Sequence, residues 1–281
     1  PNPNPNPNPD PDPNPDPNQL LFVALGVAPE VGTLVQFAMA DDGSLSPEVG
    51  AYLRRYLAEC FPKMVSEEGG GEVIGSVLHP LNSNDFSSYL LQAQASGAEV
   101  IALANAGNDL GNAIKQAAEF GITQSGQNLA PLGMFINNAH SIGLDALQGV
   151  RFTTPTYWDL NDGTREFTKR YQAAFNDRYP NEAQMTTYSA VAHYLKAVAA
   201  AGTDEGDAVM AKMRETPIND FQMDNVSIRA DGQVMRPSYA VRVKSPDESK
   251  APYDYYEVVA TLDPEQVWRS PENSSCPLMK Q

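Results

Sequence analysis

The feature that most constrains the fold is an alternation of short apolar segments with helix-length segments between residues 72 and 154. Residues 99–104 (EVIALA) form a nearly continuous apolar run, which is typical of a strand buried on both faces. Apolar residues then recur at helical spacing from Leu110 to Phe120, and Gly121 ends the pattern. Strands and helices that alternate over short loops favour an α/β fold in which helices flank a parallel sheet.

The same patterns predict the other elements. Strands are predicted at residues 20–25, 72–78, 132–136, 150–154, 226–229, 238–243 and 255–262. Helices are predicted at residues 86–96, 110–120, 141–147, 164–178, 182–201 and 204–215. Asp109 is predicted to cap the second of these helices. In helix 182–201, an apolar stripe is predicted to face a core; its members are Tyr188, Val191, Leu195 and Val198.

The composition restricts the partners. The net charge of −16 argues against nucleic acid and against anionic membrane surfaces, because both need a basic protein surface. No apolar run approaches the roughly 20 residues that cross a bilayer. No signal peptide is expected within this sequence, which opens on Pro1 without a basic or apolar segment. Residues 1–19 alternate Pro with Asn or Asp and are predicted to form a disordered tail.

The sequence carries no recognisable catalytic or metal motif. It lacks GxSxG, HExxH, a P-loop and GxGxxG. The three histidines (His79, His140 and His193) are isolated in sequence, so neither a metal nor a cofactor is predicted. His79 directly precedes Pro80 and is interpreted as a structural histidine. We therefore expect a binding protein rather than an enzyme.

Candidate ligand contacts follow from where open α/β sheets bind ligands, beyond the carboxyl ends of their strands. After strand 99–104 come Asn105, Ala106, Asn108 and Asp109. The small residues would let a ligand approach the backbone, and the N–H groups at the start of the helix attract anions. The alternative is that Asn105 and Asp109 only form the turn and cap the helix.

Two further loops follow the next predicted strands. Asn137 and Asn138 come after the third strand, and Tyr157, Trp158 and Asp159 after the fourth. The aromatic side chains would supply apolar walls and Asp159 a polar contact. The alternative is that Tyr157 and Trp158 only pack between lobes.

Long segments of the chain resemble a known family. The stretch HPLNSNDFSSYLLQAQASGAEVIALANAGND, followed by AIKQAAEFGI, is similar to the extracytoplasmic solute-binding proteins of ABC transporters. The similarity is to the branched-chain amino acid (Leu/Ile/Val-binding) type, including the branch that captures aromatic acids. It continues through YWDLNDGTREFTKRY, YSAVAHYLKAV and DYYEVVATL, and covers roughly residues 51–281.

The resemblance implies a type I periplasmic binding protein fold, in which two α/β lobes close over a ligand by a hinge motion. It implies a periplasmic protein without catalytic residues that delivers an amino acid or aromatic acid to ABC permease subunits. The second, ligand-binding lobe would span residues 20–160, and residues 161–281 would form a partial first lobe, the hinge and the last strands. The family's contact loops match Asn105 to Asp109, Phe135 to Asn137 and Tyr157 to Asp159.

The sequence departs from the family in its first part. Most of the first lobe, which supplies donors for the ligand's carboxylate, is expected to be missing, and affinity should fall by roughly a thousandfold or more. Cys276 usually pairs with a cysteine of that lobe, and pairing with Cys60 is left open. The alternatives to the transport function are a ligand-sensing domain of the same fold in a signalling protein, an α/β enzyme, and a fragment without function.

Overall fold

The computed structural model describes residues 19–23, 73–80, 82–268 and 270–273. Its strands are β1 (Gln19–Val23), β2 (Ser76–Pro80), β3 (Val100–Leu103), β4 (Asn128–Pro131), β5 (Arg151–Thr154), β6 (Ser238–Val243) and β7 (Tyr256–Leu262). Its helices are α1 (Ser87–Ala95), α2 (Gly107–Glu119), α3 (Ile136–Ile142), α4 (Asp162–Ala174), α5 (Glu182–Ala201), α6 (Gly206–Glu215) and α7 (Pro264–Val267). The predicted tail before Gln19, Cys60 and Cys276 lie outside the described residues.

The first sheet has the strand order β2-β1-β3-β4. β3 and β4 are parallel, with Val100 opposite Asn128 and Leu103 opposite Pro131. A parallel bridge between Leu129 and Val150 places the start of β5 beside β4. This run confirms the predicted parallel sheet, whereas β1 pairs antiparallel with both β2 and β3.

The second sheet is antiparallel and has the order β5-β6-β7. It is connected to the first sheet through Val150, whose carbonyl accepts a hydrogen bond from the Val243 N–H at 3.1 Å. The segment of Val150 and β5 therefore connects the two sheets, because it pairs in parallel with β4 at Val150 and antiparallel with β6. The carboxyl end of β5 lies at the same edge as the ends of β3 and β4.

One hydrophobic cluster joins the two sheets. Leu110, Ile114 and Ala117 form the buried face of α2, and the neighbouring strand β3 contributes Ile101 and Leu103. The same cluster contains side chains from β6 and β7, namely Val241, Val243 and Tyr256. The strands near the carboxyl terminus thus complete a core begun between residues 86 and 157. The division into lobes at residue 160 stays a prediction.

The third predicted strand and the helix after it are wrong in position. β4 ends at Pro131, and α3 begins at Ile136 rather than at residue 141. The Asn138 side chain accepts the Phe135 N–H at 3.0 Å and so caps the helix at its observed start. Met134 and Ile136, in the apolar run interpreted as a strand, are buried, and so is Ala139. This run therefore contacts the core from the loop before α3 and from the first turn of α3, not from a strand.

The predicted burial of the apolar stripe on α5 is also wrong. Tyr188, Val191 and Leu195 are exposed, Leu195 by 58%. The buried face of α5 is instead Met185, Ser189, His193 and Ala197. These four residues recur every four positions, so the helix buries a narrow stripe of mixed polarity rather than its most apolar one.

Candidate functional site

Three loops follow the carboxyl ends of adjacent strands. β3 and β4 are parallel neighbours, and Val150, just before β5, pairs in parallel with Leu129 of β4. Because neighbouring strands lie about 4.8 Å apart, the three ends fall within about 10 Å of one another along one edge. The three segments that contain the predicted ligand contacts follow the strands that end at this edge.

The first loop turns into α2 earlier than predicted. Ala106 is the N-cap residue, with an extended backbone, and Gly107 is the first helical residue. Asp109 is therefore not the cap, and this prediction is wrong. Asp109 lies buried in the first turn, where its Oδ2 accepts the Asn82 N–H at 2.9 Å. Burial raises the pKa of the Asp109 carboxyl above its usual value, although the Asn82 N–H and His79 oppose this.

Asn105 is buried beside His79 at the start of this loop. The His79 Nδ1–H donates to the Pro80 carbonyl at 2.8 Å, which leaves Nε2 to accept from the Asn105 amide, also at 2.8 Å. Asn105 Oδ1 is buried and has no hydrogen-bond partner among the described residues. Ala106 and Asn108 are exposed next to it. The interpretation of His79 as structural agrees with this arrangement, because the histidine orients a residue of the loop.

The second loop is attached to the start of α5. The Ile136 N–H donates to both carboxyl oxygens of Glu182, at 3.1 and 3.0 Å. The neighbouring Asn181 amide donates to Asn137 Oδ1 at 3.3 Å. Phe135, the N-cap of α3, is partly buried and Asn137 is exposed. Glu182 and its neighbour Asn181, the N-cap of α5, thus contact Ile136 and the predicted site residue Asn137.

Glu182 is missed by the sequence reasoning. An acidic residue at the first position of a helix is ordinarily exposed and favourable there. In the structure its side chain is buried, and burial raises the pKa of this carboxyl to about 8. No local pattern distinguishes Glu182 from an exposed N-terminal glutamate, because its partner lies 46 positions away in sequence.

The third loop is held by the backbone before β7. The buried Tyr157 hydroxyl donates to the Tyr253 carbonyl at 2.9 Å and accepts the Tyr255 N–H at 3.2 Å. The Trp158 indole N–H donates to the same Tyr253 carbonyl at 2.7 Å. Burial raises the pKa of Tyr157. The hydroxyl of Tyr157 is therefore hydrogen-bonded within the protein. Trp158 is half-buried, so part of its indole ring is accessible to a ligand.

Asp159 is paired with a cation of the next helix. Its Oδ1 accepts from Arg165 Nη1 at 2.8 Å, and Arg165 also bonds Asp162. A ligand that uses the Asp159 carboxylate would therefore meet a group already neutralised by Arg165.

A cluster of aromatic rings beside the third loop is also missed by the sequence reasoning. Tyr253 is stacked between His140, at 4.4 Å, and Tyr179, at 4.5 Å, measured between ring centroids. Trp158 meets Tyr179 edge-on at 4.9 Å. Tyr253 has a φ of 66°, which a non-glycine residue adopts only where its surroundings fix it. These four rings come from separate segments, so their assembly depends on tertiary contacts.

A family model described as "Periplasmic binding protein" matches residues 54–250. The chain belongs to the periplasmic binding protein family. A comparison with curated proteins gave no match.

Solved structures of this family share the fold. A periplasmic binding protein from Burkholderia mallei is 44% identical, with a TM-score of 0.72 over 82% of this chain and 59% of that one. A branched chain amino acid ABC transporter periplasmic ligand-binding protein from Burkholderia xenovorans is 35% identical, with a TM-score of 0.71 over 89% of this chain and 67% of that one. An amino acid ABC transporter substrate-binding protein from Pseudomonas fluorescens is 25% identical, with a TM-score of 0.69 over 82% and 59%. The chain thus spans about three fifths to two thirds of these proteins.

Other features of this periplasmic binding protein bear on the site. Among the residues the structure describes, no three His, Cys, Asp or Glu side chains are grouped to hold a metal ion. Within the same residues, none of the helices has the length and apolar character needed to cross a membrane. An open polar depression of about 410 Å³ contains none of the predicted contacts and is lined by Asn84, Asp85, Ser87, Asn112, Lys115, Gln116 and Glu119. The strand-end loops remain the candidate site.

Proposed function

We propose that this chain is the solute-binding component of an ABC importer, working in the periplasm and delivering its ligand to membrane permease subunits. The proposed ligand is a branched-chain amino acid or a related aromatic carboxylic acid. The observation that carries the proposal is the alignment of three polar and aromatic loops at the carboxyl edge of β3, β4 and β5. The proposal contains no catalytic step.

The loops offer a ligand both a polar contact and an apolar one. Asn105 Oδ1 is an acceptor without a partner in the described structure, and such a buried group costs about 1–3 kcal/mol. A donor on a ligand that reaches this oxygen would relieve this cost. The ring of Trp158 would form an apolar wall for a leucine side chain or a benzoate ring.

The structural relatives support the transport class. The Burkholderia xenovorans protein is described as the ligand-binding protein of a branched chain amino acid ABC transporter, and the Pseudomonas fluorescens protein as an amino acid transporter component. Their identities of 35% and 25% support a ligand of similar chemistry for this chain.

Tryptophan fluorescence offers a direct test, because the chain has two tryptophans, Trp158 and Trp268. Both indole N–H groups donate to backbone carbonyls at 2.7 Å, but only Trp158 lies in the proposed site. In Trp268→Phe, titration with L-leucine or benzoate should change the emission of Trp158 in a saturable way. The matched variant Trp158→Phe, which keeps Trp268, should give no response.

Isothermal titration of the unmodified chain with the same two probes provides an independent measurement. The apparent Kd should agree with the fluorescence value. Absence of saturable heat and of a Trp158 response, with both probes taken to their solubility limits, would refute the proposed ligand class. An equal response from Trp268 alone would refute the proposed location.

A further inference from the structure

We infer that Glu182 is a positioning residue of the ligand site, whose buried carboxyl group holds the loop of residues 135–137 in place and makes that hold depend on pH. The inference rests on the proposed function, because this loop is taken to be one wall of the site. It concerns a residue outside the three loops, on a helix that starts 46 positions after Ile136.

Two side chains at the start of α5 hold the loop of residues 135–137 through hydrogen bonds to α3. Glu182 accepts the Ile136 N–H through both oxygens, at 3.1 and 3.0 Å. Asn181, the N-cap of α5, donates from its amide to Asn137 Oδ1 at 3.3 Å. Ile136 lies between Phe135 and Asn137, so fixing its backbone fixes the direction of both predicted ligand contacts.

The carboxyl group is buried without a balancing cation. Glu182 is 2% exposed, and none of the ion pairs found among the described residues includes it. A charged carboxylate in such a place is costly, so the neutral acid is favoured. Burial raises the pKa of Glu182 to about 8, and one oxygen of the neutral acid still accepts the Ile136 N–H.

The titratable groups around Glu182 do not supply a counter-charge. Tyr256 on β7 interacts with Glu182 electrostatically, and Tyr157 and Tyr255 act on Tyr256 in turn. The Tyr256 hydroxyl is buried without a hydrogen-bond partner among the described residues. On α3 the titratable side chain is His140, which is exposed and lies 2.7 Å from the Tyr255 hydroxyl.

Ionisation of Glu182 therefore has a structural consequence. Burial raises the pKa of Tyr256 well above its usual value, so Tyr256 stays neutral in the pH range where Glu182 loses its proton. A carboxylate with no cation beside it gains solvation only if water enters between α3 and α5. We expect the Ile136 hydrogen bond to open more often as the pH rises towards 8, because the opened, hydrated carboxyl loses its proton at a lower pH than the buried one.

Hydrogen–deuterium exchange of the full chain tests this without any ligand. Exchange of the backbone around residues 135–139 is followed from about pH 6 to about pH 9.5 in the wild type and in Glu182→Gln, after correction for the intrinsic pH dependence. In the wild type, protection should fall by up to about tenfold for each pH unit as the pH rises towards 8, and it should level off above that pH, where the carboxyl is ionised in the closed state as well. In Glu182→Gln it should stay constant, because the amide oxygen accepts the same N–H and carries no charge.

Three further variants separate this role from a general structural one. Glu182→Ala removes the acceptor and should lower protection of residues 135–139 at every pH. His140→Asn and Tyr256→Phe remove the neighbouring titratable groups and should keep the wild-type pH profile. If Glu182→Ala does not fold, the comparison of the wild type with Glu182→Gln decides the question by itself.

Parallel pH profiles for the wild type and Glu182→Gln would overturn the inference. That result differs from failure of the proposed function, in which neither L-leucine nor benzoate binds while the exchange profiles still diverge. Where a probe does bind, its Kd should rise as the pH rises towards 8 in the wild type and stay constant in Glu182→Gln.

Discussion

Replacement of Gly163 by alanine should destabilise the protein through a clash with the backbone. Gly163 is the second residue of α4, and an added Cβ would lie 2.3 Å from the Phe221 carbonyl oxygen and 3.1 Å from its carbon. The carbonyl cannot rotate away as a side chain would, so α4 and the segment around Phe221 have to separate. Phe221 stacks on Phe167 with ring centroids 4.0 Å apart, and this contact would be disturbed.

The expected magnitude is a balance of two terms. Overpacking of this kind costs about 1–3 kcal/mol. Alanine recovers about 0.5–1 kcal/mol, because it favours the helix and restricts the unfolded chain more than glycine does. At the middle of both ranges, the net loss in the free energy of unfolding should therefore be about 1 kcal/mol, and it should not exceed about 2.5 kcal/mol.

Gly206→Ala is the matched control, because Gly206 is the first residue of α6 and an added Cβ meets no atom within 4 Å. It should keep the gain without the clash and stabilise the protein by up to about 1 kcal/mol. Urea unfolding followed by circular dichroism measures both variants against the wild type. Shifts of the midpoint in the same direction, or a Gly163→Ala protein as stable as the wild type, would refute the reasoning.

The remaining predictions concern the buried acid and the core. The pKa of Glu182 rises from 4.5 to about 8 on folding, so the folded protein keeps a proton that the unfolded chain releases in this range. Stability of the wild type should fall as the pH rises between these values, by up to about 1.4 kcal/mol per pH unit, and urea unfolding should show no such fall for Glu182→Gln. Leu110→Ala, at a fully buried position of α2, should cost about 3–5 kcal/mol and lower the thermal midpoint; a loss below about 1 kcal/mol would contradict its place in the core.

Local pattern accounts for the kinds of most elements and for several of their bounds, but not for the predicted strand at residues 226–229, where the structure has only isolated bridges. The predicted helix 182–201 and the predicted strand 238–243 match α5 and β6 at both ends. Helix α5 is bounded by Asn181 as N-cap and Gly202 in the left-handed conformation, two signals that are present in the sequence. Where such signals were misassigned, as at Phe135 and Asn138, the prediction shifted by several residues.

The candidate site, too, could be predicted from the sequence only in part. The sequence by itself determined that polar and aromatic residues follow β3 and β5, since strand–helix alternation identifies those ends, whereas the end of β4, at Pro131, was predicted at residue 136. Tertiary structure alone decided that the Tyr157 hydroxyl donates a hydrogen bond to the Tyr253 carbonyl and that Glu182 is buried against Ile136.

The physical reason is that periodicity records which face of an element is apolar but not which element covers it. The stripe containing Leu195 is the most apolar on α5, yet α5 buries the face with Ser189 and His193. In the same way, β1 enters the sheet antiparallel between β2 and β3, a choice of partner that no pattern within β1 encodes. The alternation of strands and helices was set locally, whereas the burial of Glu182, Tyr256 and the stacked aromatic rings arose from contacts between segments far apart in the chain.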